Sequence, residues 1–81
     1  MKILLVEDNK IIGNNITKYL ELERNEVMRA ENGLYAFELL KHHEFDVIIL
    51  DIMLPGMDGI TLCKNIRKNH STTPILMTTA K

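Results

Sequence analysis

The 81-residue chain is 46% hydrophobic and 26% charged, a balance that is typical of one small globular domain and excludes a disordered or collagen-like chain. Ten Lys and Arg residues against eleven Asp and Glu residues give a net charge of −1, which argues against direct nucleic-acid binding. A single cysteine, the absence of an apolar run near the roughly 20 residues of a membrane span, and an N-terminus that turns acidic at Glu7 predict a cytoplasmic protein without a membrane segment or signal peptide.

The first predicted elements are a strand and a helix. Residues 3–6 form a short, continuous apolar run, which is typical of a strand covered on both faces of a parallel sheet. Asn9 is a suitable N-cap for the helix that follows. Gly13 weakens this helix intrinsically, so its stability must come from packing. Its predicted inner face consists of residues spaced four apart, namely Ile12, Ile16 and Leu20.

The next elements are a polar strand and a second helix. Residues 26–30 carry enough polar side chains to predict a strand at the edge of the sheet. Asn32 and Gly33 then precede an apolar stripe at helical spacing, formed by Leu34, Phe37 and Leu40. The His-His-Glu segment at 42–44 is interpreted as a solvated helix end and not as a metal cluster, because adjacent residues do not share a helix face.

Two further strands and a third helix complete the predicted order. Residues 47–50 and 74–78 are apolar runs, and the first of them ends at Asp51. Asp58 is a suitable N-cap for the helix between them, whose apolar positions include Ile60, Leu62, Cys63 and Ile66. We interpret Cys63 as a small buried hydrophobe. The alternation of strands and helices predicts an α/β fold, a doubly wound parallel sheet with helices on both faces.

The chemistry is expected at the carboxyl ends of these strands, where open parallel sheets bind their ligands. Glu7 and Asp8 follow the first strand, Asp51 ends the third, and Thr79 follows the fourth. If the first and third strands are neighbours, about 4.8 Å apart, the three carboxylates crowd one small region and repel one another. A hard divalent cation such as Mg²⁺ suits oxygen ligands of this kind. A carboxylate beside such an ion can act as a nucleophile towards a phosphoryl group.

Three segments carry a resemblance to a known family. VEDN at 6–9, DIMLPGMDG at 51–59 and PILMTTAK at 74–81 resemble the response-regulator receiver domain of two-component signalling. The resemblance extends over the whole chain, and the second and third segments are most similar to receivers attached to winged-helix DNA-binding domains. It implies a flavodoxin-like fold and a signalling role, not that of a conventional enzyme.

The resemblance also implies roles for individual residues. Asp51 corresponds to the phospho-acceptor, and Thr79 corresponds to the switch hydroxyl that hydrogen-bonds a phosphoryl oxygen. The implied cofactor is Mg²⁺, and its implied protein ligands are Glu7, Asp8, Asp51 and the backbone carbonyl of Met53.

The implied partners follow from the same resemblance. A sensor histidine kinase would donate a phosphoryl group to Asp51. Phosphorylation would then change a surface that is read by an output domain, a DNA-binding domain outside this chain. Pro55 and Gly59 would shape the loop beside the acceptor. The chain itself is expected to contact neither nucleic acid nor a membrane.

The sequence departs from the pattern of a whole receiver, which has five strands in the order 2-1-3-4-5. We therefore expect a single domain over residues 1–81 that corresponds to the N-terminal two-thirds of a receiver. Its expected strand order is 2-1-3-4, without the last α-β-α portion and without the lysine that pairs with the phosphoryl group. The fourth strand would then be an exposed apolar edge, open to homodimer formation or strand exchange.

The same residues allow two alternatives to a phospho-acceptor. Haloacid-dehalogenase-type phosphatases also use an Asp at a strand end, but they need a second Asp two residues later. This chain has Met53 at that position, which argues against that class. A protein-interaction module that works without phosphorylation stays open, because the phosphate-pairing lysine is missing.

Overall fold

The computed structural model describes residues 1–52, 54, 58–70 and 72–78. Within these ranges the strands and helices alternate in the predicted order: β1 (Lys2–Val6), α1 (Lys10–Leu22), β2 (Glu26–Ala30), α2 (Gly33–His42), β3 (Val47–Asp51), α3 (Gly59–Arg67) and β4 (Ile75–Thr78). None of the described helices is long and apolar enough to cross a membrane.

The four strands form one parallel sheet in the order β2-β1-β3-β4, which confirms the predicted arrangement. Val6 at the end of β1 lies opposite Ala30 of β2 and Leu50 of β3. Asp51 at the end of β3 lies opposite Thr78 of β4. The carboxyl ends of all four strands therefore meet at the same edge of the sheet.

The main hydrophobic core lies where α2 and α3 pack on the sheet. It combines the strand residues Leu4, Val6, Ile48 and Leu50 with the helix residues Ala36, Leu39, Leu40, Leu62 and Ile66. Burial of each large apolar side chain contributes about 1.5–3 kcal/mol. Cys63 is half-buried and packs against this core, as expected of a small apolar residue. Ile3 and Leu5 point to the opposite face and are 2% and 1% exposed, so both faces of β1 are covered.

Each described helix is preceded by a polar residue whose side chain accepts a hydrogen bond from a backbone N–H three residues later. The predicted caps Asn9 and Asp58 are confirmed, and Asn32 caps α2. The donor–acceptor distances are 3.0 Å for Ile12 to Asn9, 2.8 Å for Tyr35 to Asn32 and 2.8 Å for Thr61 to Asp58.

Two of the predicted apolar positions do not face the core. Leu34 is 74% exposed, so it does not share the buried face of the predicted stripe in α2, and Ile60 in α3 is 52% exposed. The buried residues nearby are Ala36 in α2 and Leu62 in α3. At 3.6 residues per turn, a residue two positions earlier lies about 200° around the helix, on the side away from the sheet.

In the part of the chain that the structure describes, β4 is an edge strand. It pairs there with β3 alone, and Leu76 is 60% exposed. This confirms the expected exposed apolar edge, whereas its pairing with a second copy stays a prediction. The other edge is β2, as its polar sequence predicts.

The Asn32 cap can be tested by the same substitution in two settings. We expect Asn32→Ala to lower the free energy of unfolding by about 1 kcal/mol, because the backbone N–H of Tyr35 loses its acceptor. Asn15→Ala is the matched control inside α1, where Asn15 is exposed and Ala is the better helix former, and should raise stability by about 0.5 kcal/mol. Urea denaturation measures both changes, and equal destabilisation by the two would contradict the capping role.

The stabilisation that the Asp58 cap provides should depend on pH. The backbone N–H of Thr61, and then its hydroxyl, donate hydrogen bonds that lower the pKa of Asp58 below its ordinary 3.8. A folded-state pKa below the unfolded one means that the stabilisation is complete well above pH 3.8 and is lost as the pH falls through the folded-state pKa. The stability difference between wild type and Asp58→Ala should therefore shrink below pH 3.8.

Urea denaturation across that pH range measures the effect. The matched control is Asn32→Ala, which removes a cap of the same geometry that does not titrate. If the difference in the free energy of unfolding between wild type and Asp58→Ala did not change with pH, like that of the control, the role of Asp58 as a titrating cap would be contradicted.

Candidate functional site

The acidic residues singled out in the sequence lie at the carboxyl edge of the sheet. Glu7 directly follows β1, Asp51 is the last residue of β3, and these two strands are neighbours. The backbone N–H of Glu7 donates to the carbonyl oxygen of Ala30 at 3.0 Å, which continues the pairing with β2 by one residue. The sheet itself thus fixes where the chain leaves β1 and delivers the acidic pair.

The side chains of Glu7, Asp8 and Asp51 form an acidic cluster. Each offers a carboxylate oxygen, and these oxygens all lie within 4.8 Å of one another. Glu7 and Asp51 are buried, at 4% and 1% exposure, and Asp8 is the most accessible of the three. The expected crowding is confirmed, while the chemical roles of the three residues stay predictions.

Asn9 connects the acidic cluster to α1. Its backbone N–H donates to Oε2 of Glu7 at 3.0 Å, while its side chain caps the helix. The sequence predicts only the capping role. The second role follows from the turn between β1 and α1, in which the N–H of a cap residue can reach back to a side chain two residues earlier.

The start of α3 is pressed against the backbone that follows Asp51. The N–H of Gly59 donates to the carbonyl oxygen of Ile52 at 2.6 Å. A Cβ at Gly59 would lie 2.5 Å from Cα of Ile52 and 2.6 Å from the carbonyl oxygen of Asp51, so this position requires glycine. The N–H of Ile52 in turn donates to the carbonyl oxygen of Thr78 at 3.2 Å. Both neighbouring elements are therefore bonded to the peptide groups beside Asp51.

Three predicted site residues fall outside the described part of the chain. They are Met53, the implied carbonyl ligand, Thr79, the implied switch hydroxyl, and Pro55 of the implied loop. Their roles stay predictions.

The donor set of the acidic cluster suits a hard divalent cation. It offers only carboxylate oxygens, the ligands that Mg²⁺ and Ca²⁺ prefer. Ionised carboxylates this close repel one another by about 3–4 kcal/mol per pair at the effective dielectric constant of a protein, and a cation between them removes that repulsion. Among the described residues no other group of three His, Cys, Asp or Glu side chains converges in this way.

The segment at 42–44 lies at the end of α2, as its interpretation as a helix end predicts. α2 ends at His42, and His43 is its C-cap. Nδ1 of His43 lies 3.1 Å from the ammonium group of Lys2.

Comparison of the sequence with known families identifies one match. The profile described as the response regulator receiver domain matches residues 3–81. An uncharacterized transcriptional regulatory protein, YclJ of Bacillus subtilis, is 43% identical over 81 residues, which are 100% of this chain and 35% of that protein. The transcriptional regulatory protein SrrA of Staphylococcus aureus is 44% identical over 80 residues, 99% of this chain and 33% of that protein. The chain thus spans about a third of the length of these curated relatives.

Solved structures show the same architecture. The BeF3-activated N-terminal receiver domain of RstA from Klebsiella pneumoniae superposes with a TM-score of 0.93 at 37% identity, over 100% of this chain and 68% of that one. The response regulator TrrA from Thermotoga maritima, in complex with Mg²⁺ and BeF, superposes with a TM-score of 0.93 at 34% identity, over 99% of this chain and 70% of that one. The fold is therefore shared with solved structures of response regulators.

The repulsion in the acidic cluster predicts a stability effect. In EDTA at neutral pH, Asp51→Asn should raise the free energy of unfolding by about 1 kcal/mol, because it removes one of three crowded charges without changing the side-chain shape. Excess Mg²⁺ should abolish that advantage. The three carboxylates of the wild type bind the ion more tightly than the two that remain in the variant, so the ion stabilises the wild type more.

Chemical denaturation with and without Mg²⁺ measures both effects. Glu21→Gln is the matched control, since it removes an exposed carboxylate in α1 far along the chain from the cluster. A loss of stability for Asp51→Asn in EDTA would show that repulsion does not dominate at this position.

Proposed function

The chain belongs to the response-regulator receiver domain family, and on that basis we propose that it accepts a phosphoryl group on Asp51 in a Mg²⁺-dependent reaction. Phosphorylation by a sensor histidine kinase is the general role of this family. The observation that carries the proposal is the acidic cluster, in which a 1%-exposed Asp51 meets Glu7 and Asp8 at the end of β3.

Asp51 would act as the nucleophile. One of its carboxylate oxygens forms the new bond to phosphorus, and the bond between phosphorus and the imidazole nitrogen of the donor histidine breaks. That nitrogen keeps the electron pair, and an aspartyl phosphate results. The backbone contacts of Gly59 and Thr78 next to Asp51 support this role, because they hold the nucleophile in one position.

Glu7, Asp8 and Asp51, with the backbone carbonyl of Met53, would hold the Mg²⁺. The ion supplies charge neutralisation for the carboxylates and the incoming phosphoryl oxygens. Asn9 fixes Glu7 through its backbone N–H, so the first carboxylate does not depend on the metal for its orientation. Thr79, which follows the Thr78 paired with Asp51, is the proposed hydroxyl donor to a phosphoryl oxygen after modification.

The proposed partners are a sensor histidine kinase and a DNA-binding output domain. The transcriptional regulators YclJ and SrrA support the second of these, since the chain matches only about a third of each. A role in transcription is also the reason to propose a cytoplasmic location. In this scheme the domain is a phospho-acceptor of a signalling pathway and not an enzyme that turns over a separate substrate.

Intact mass spectrometry tests the proposal. Incubation of the 81-residue chain with acetyl phosphate and Mg²⁺ should give a single phosphoryl adduct. Asp51→Asn should give none, because the nucleophilic oxygen pair is replaced by an amide. Asp8→Asn should slow adduct formation, because it removes an oxygen ligand while leaving the acceptor in place.

Asp46→Asn is the matched control. Asp46 lies at the opposite edge of the sheet, where Oδ2 accepts from the backbone N–H of Lys2 at 2.7 Å, and Asn keeps an acceptor there. This variant should be phosphorylated like the wild type. An adduct that persists in Asp51→Asn would move the acceptor elsewhere. A folded wild-type chain without any adduct would favour the interaction module that works without phosphorylation.

A further inference from the structure

A polar cleft lies beside the acidic cluster, between α1, the end of β2 and the start of α2. We call it the basic cleft. It has a volume of about 520 Å³ and is lined by Lys10, Asn14, Arg29, Glu31, Asn32 and Tyr35. The cleft adjoins the acidic cluster through Ala30, which lies between Arg29 and Glu31 in the sequence. The carbonyl oxygen of Ala30 accepts a hydrogen bond from the N–H of Glu7.

The guanidinium of Arg29 is held in one position in this cleft. Arg29 belongs to β2 and is half-buried. Its Nη1 atom donates to Oδ1 of Asn14, and its guanidinium group lies over the backbone of Gly13. A Cβ at Gly13 would overlap Nη2 and lie 2.8 Å from Cζ, so the guanidinium occupies the space that a side chain at this position would need. Gly13, which weakens α1 intrinsically, thus makes room for a positioned cation.

Among the residues that the structure describes, neither cation of the basic cleft has an anionic partner. In the described part of the chain the ion pair that forms joins Lys41 to Glu38, neither of which lines the cleft, and Arg29 and Lys10 form none. Glu31 lines the same cleft without pairing with either of them. A half-buried guanidinium loses hydration, and a single hydrogen bond to a neutral amide does not replace it. Donors of Arg29 are therefore left for a ligand.

We propose that the basic cleft binds the carboxylate of an acidic side chain presented by a protein partner. The planar fork of Arg29 matches the two oxygens of a carboxylate, and Lys10 adds a second positive charge. Tyr35 is 52% exposed and offers an apolar wall for the methylene groups of a Glu side chain. The charge of Glu31 favours a monoanion over a phosphate dianion. The inference depends on this geometry and not on phosphorylation of Asp51.

Titration followed by ¹⁵N NMR tests the proposal on the 81-residue chain. The probe is N-acetyl-glutamate amide, which carries one side-chain carboxylate, and the control ligand is N-acetyl-glutamine amide, its neutral isostere. We expect the acidic probe to shift the Nε–H signal of Arg29 and the backbone signals of Gly13 and Asn14. Equal shifts with the neutral probe, or no shifts with the acidic one, would overturn the proposal.

Two variants test which atoms bind. Arg29→Gln should weaken binding by about tenfold, because a charge-assisted hydrogen bond is lost. Gly13→Ala keeps every charge but displaces the guanidinium, and it should also weaken binding while α1 stays folded. Lys18→Gln, which removes an exposed cation of α1 outside the cleft, should leave the affinity unchanged. Unchanged affinity in Arg29→Gln would contradict the inference.

A second titration with inorganic phosphate distinguishes the two kinds of oxyanion. Binding of phosphate that is weaker than that of the glutamate probe supports a carboxylate site, whereas tighter phosphate binding would overturn that assignment. Mg²⁺ is left out and EDTA added, so that the acidic cluster does not recruit phosphate through a metal. Failure of the proposed phosphorylation would show in the mass of the Asp51 adduct and leave these titrations unaffected.

Discussion

The parallel pairing of β1 with β3 is the constraint on which the acidic cluster depends. It sets Val6 opposite Leu50, so that the two strands deliver Glu7 and Asp51 to the same point of the sheet edge. The ionised carboxylates repel one another and oppose this arrangement. The register persists because a slip of one residue would move the buried apolar side chains to the opposite face of the sheet. It would also place the carboxylate of Glu7 between apolar neighbours, where an unpaired charge is costly. Apolar packing on both faces of the sheet therefore holds together charges that would otherwise separate.

Two backbone N–H groups help to orient the acidic cluster. The N–H of Asn9 binds Glu7, and Gly59 brings the start of α3 within hydrogen-bond distance of the peptide after Asp51. These contacts fix positions without cancelling the negative charge. The cluster can therefore be preorganised and still attract a divalent cation, which is the combination that a metal-assisted phosphoryl transfer requires.

Features that depend on local chemistry can be predicted from the sequence. Features that depend on contacts between separate helices and strands cannot. The element order and the acidic residues at the strand ends follow from continuous apolar runs, and the caps follow from single side chains. The strand order 2-1-3-4, and with it the convergence of Glu7 with Asp51, follows from the resemblance to receiver domains. Leu34 is misassigned because an apolar stripe does not show which side of a helix faces the sheet. The contact of Arg29 with Gly13 could not be predicted, because it joins β2 to α1 across the sheet surface and depends on a rotamer. The sequence shows that Gly13 has a weak helix propensity, but it does not show that the guanidinium of Arg29 lies against this position.

The peptide groups around Ile52 link the acidic cluster to the rest of the fold. The N–H of Ile52 donates to Thr78 at the end of β4, and its carbonyl oxygen accepts from Gly59 at the start of α3. Asp51 precedes it directly, so a change in the charge on that carboxylate acts on a backbone segment with two fixed neighbours. Gly59 leaves no free space behind this segment, since even a Cβ would collide there. Close-packed elements respond to such a displacement by shifting as units and not by absorbing it locally. If Asp51 is modified as proposed, the start of α3 and the end of β4 are therefore the elements that a displacement of this backbone would reach first.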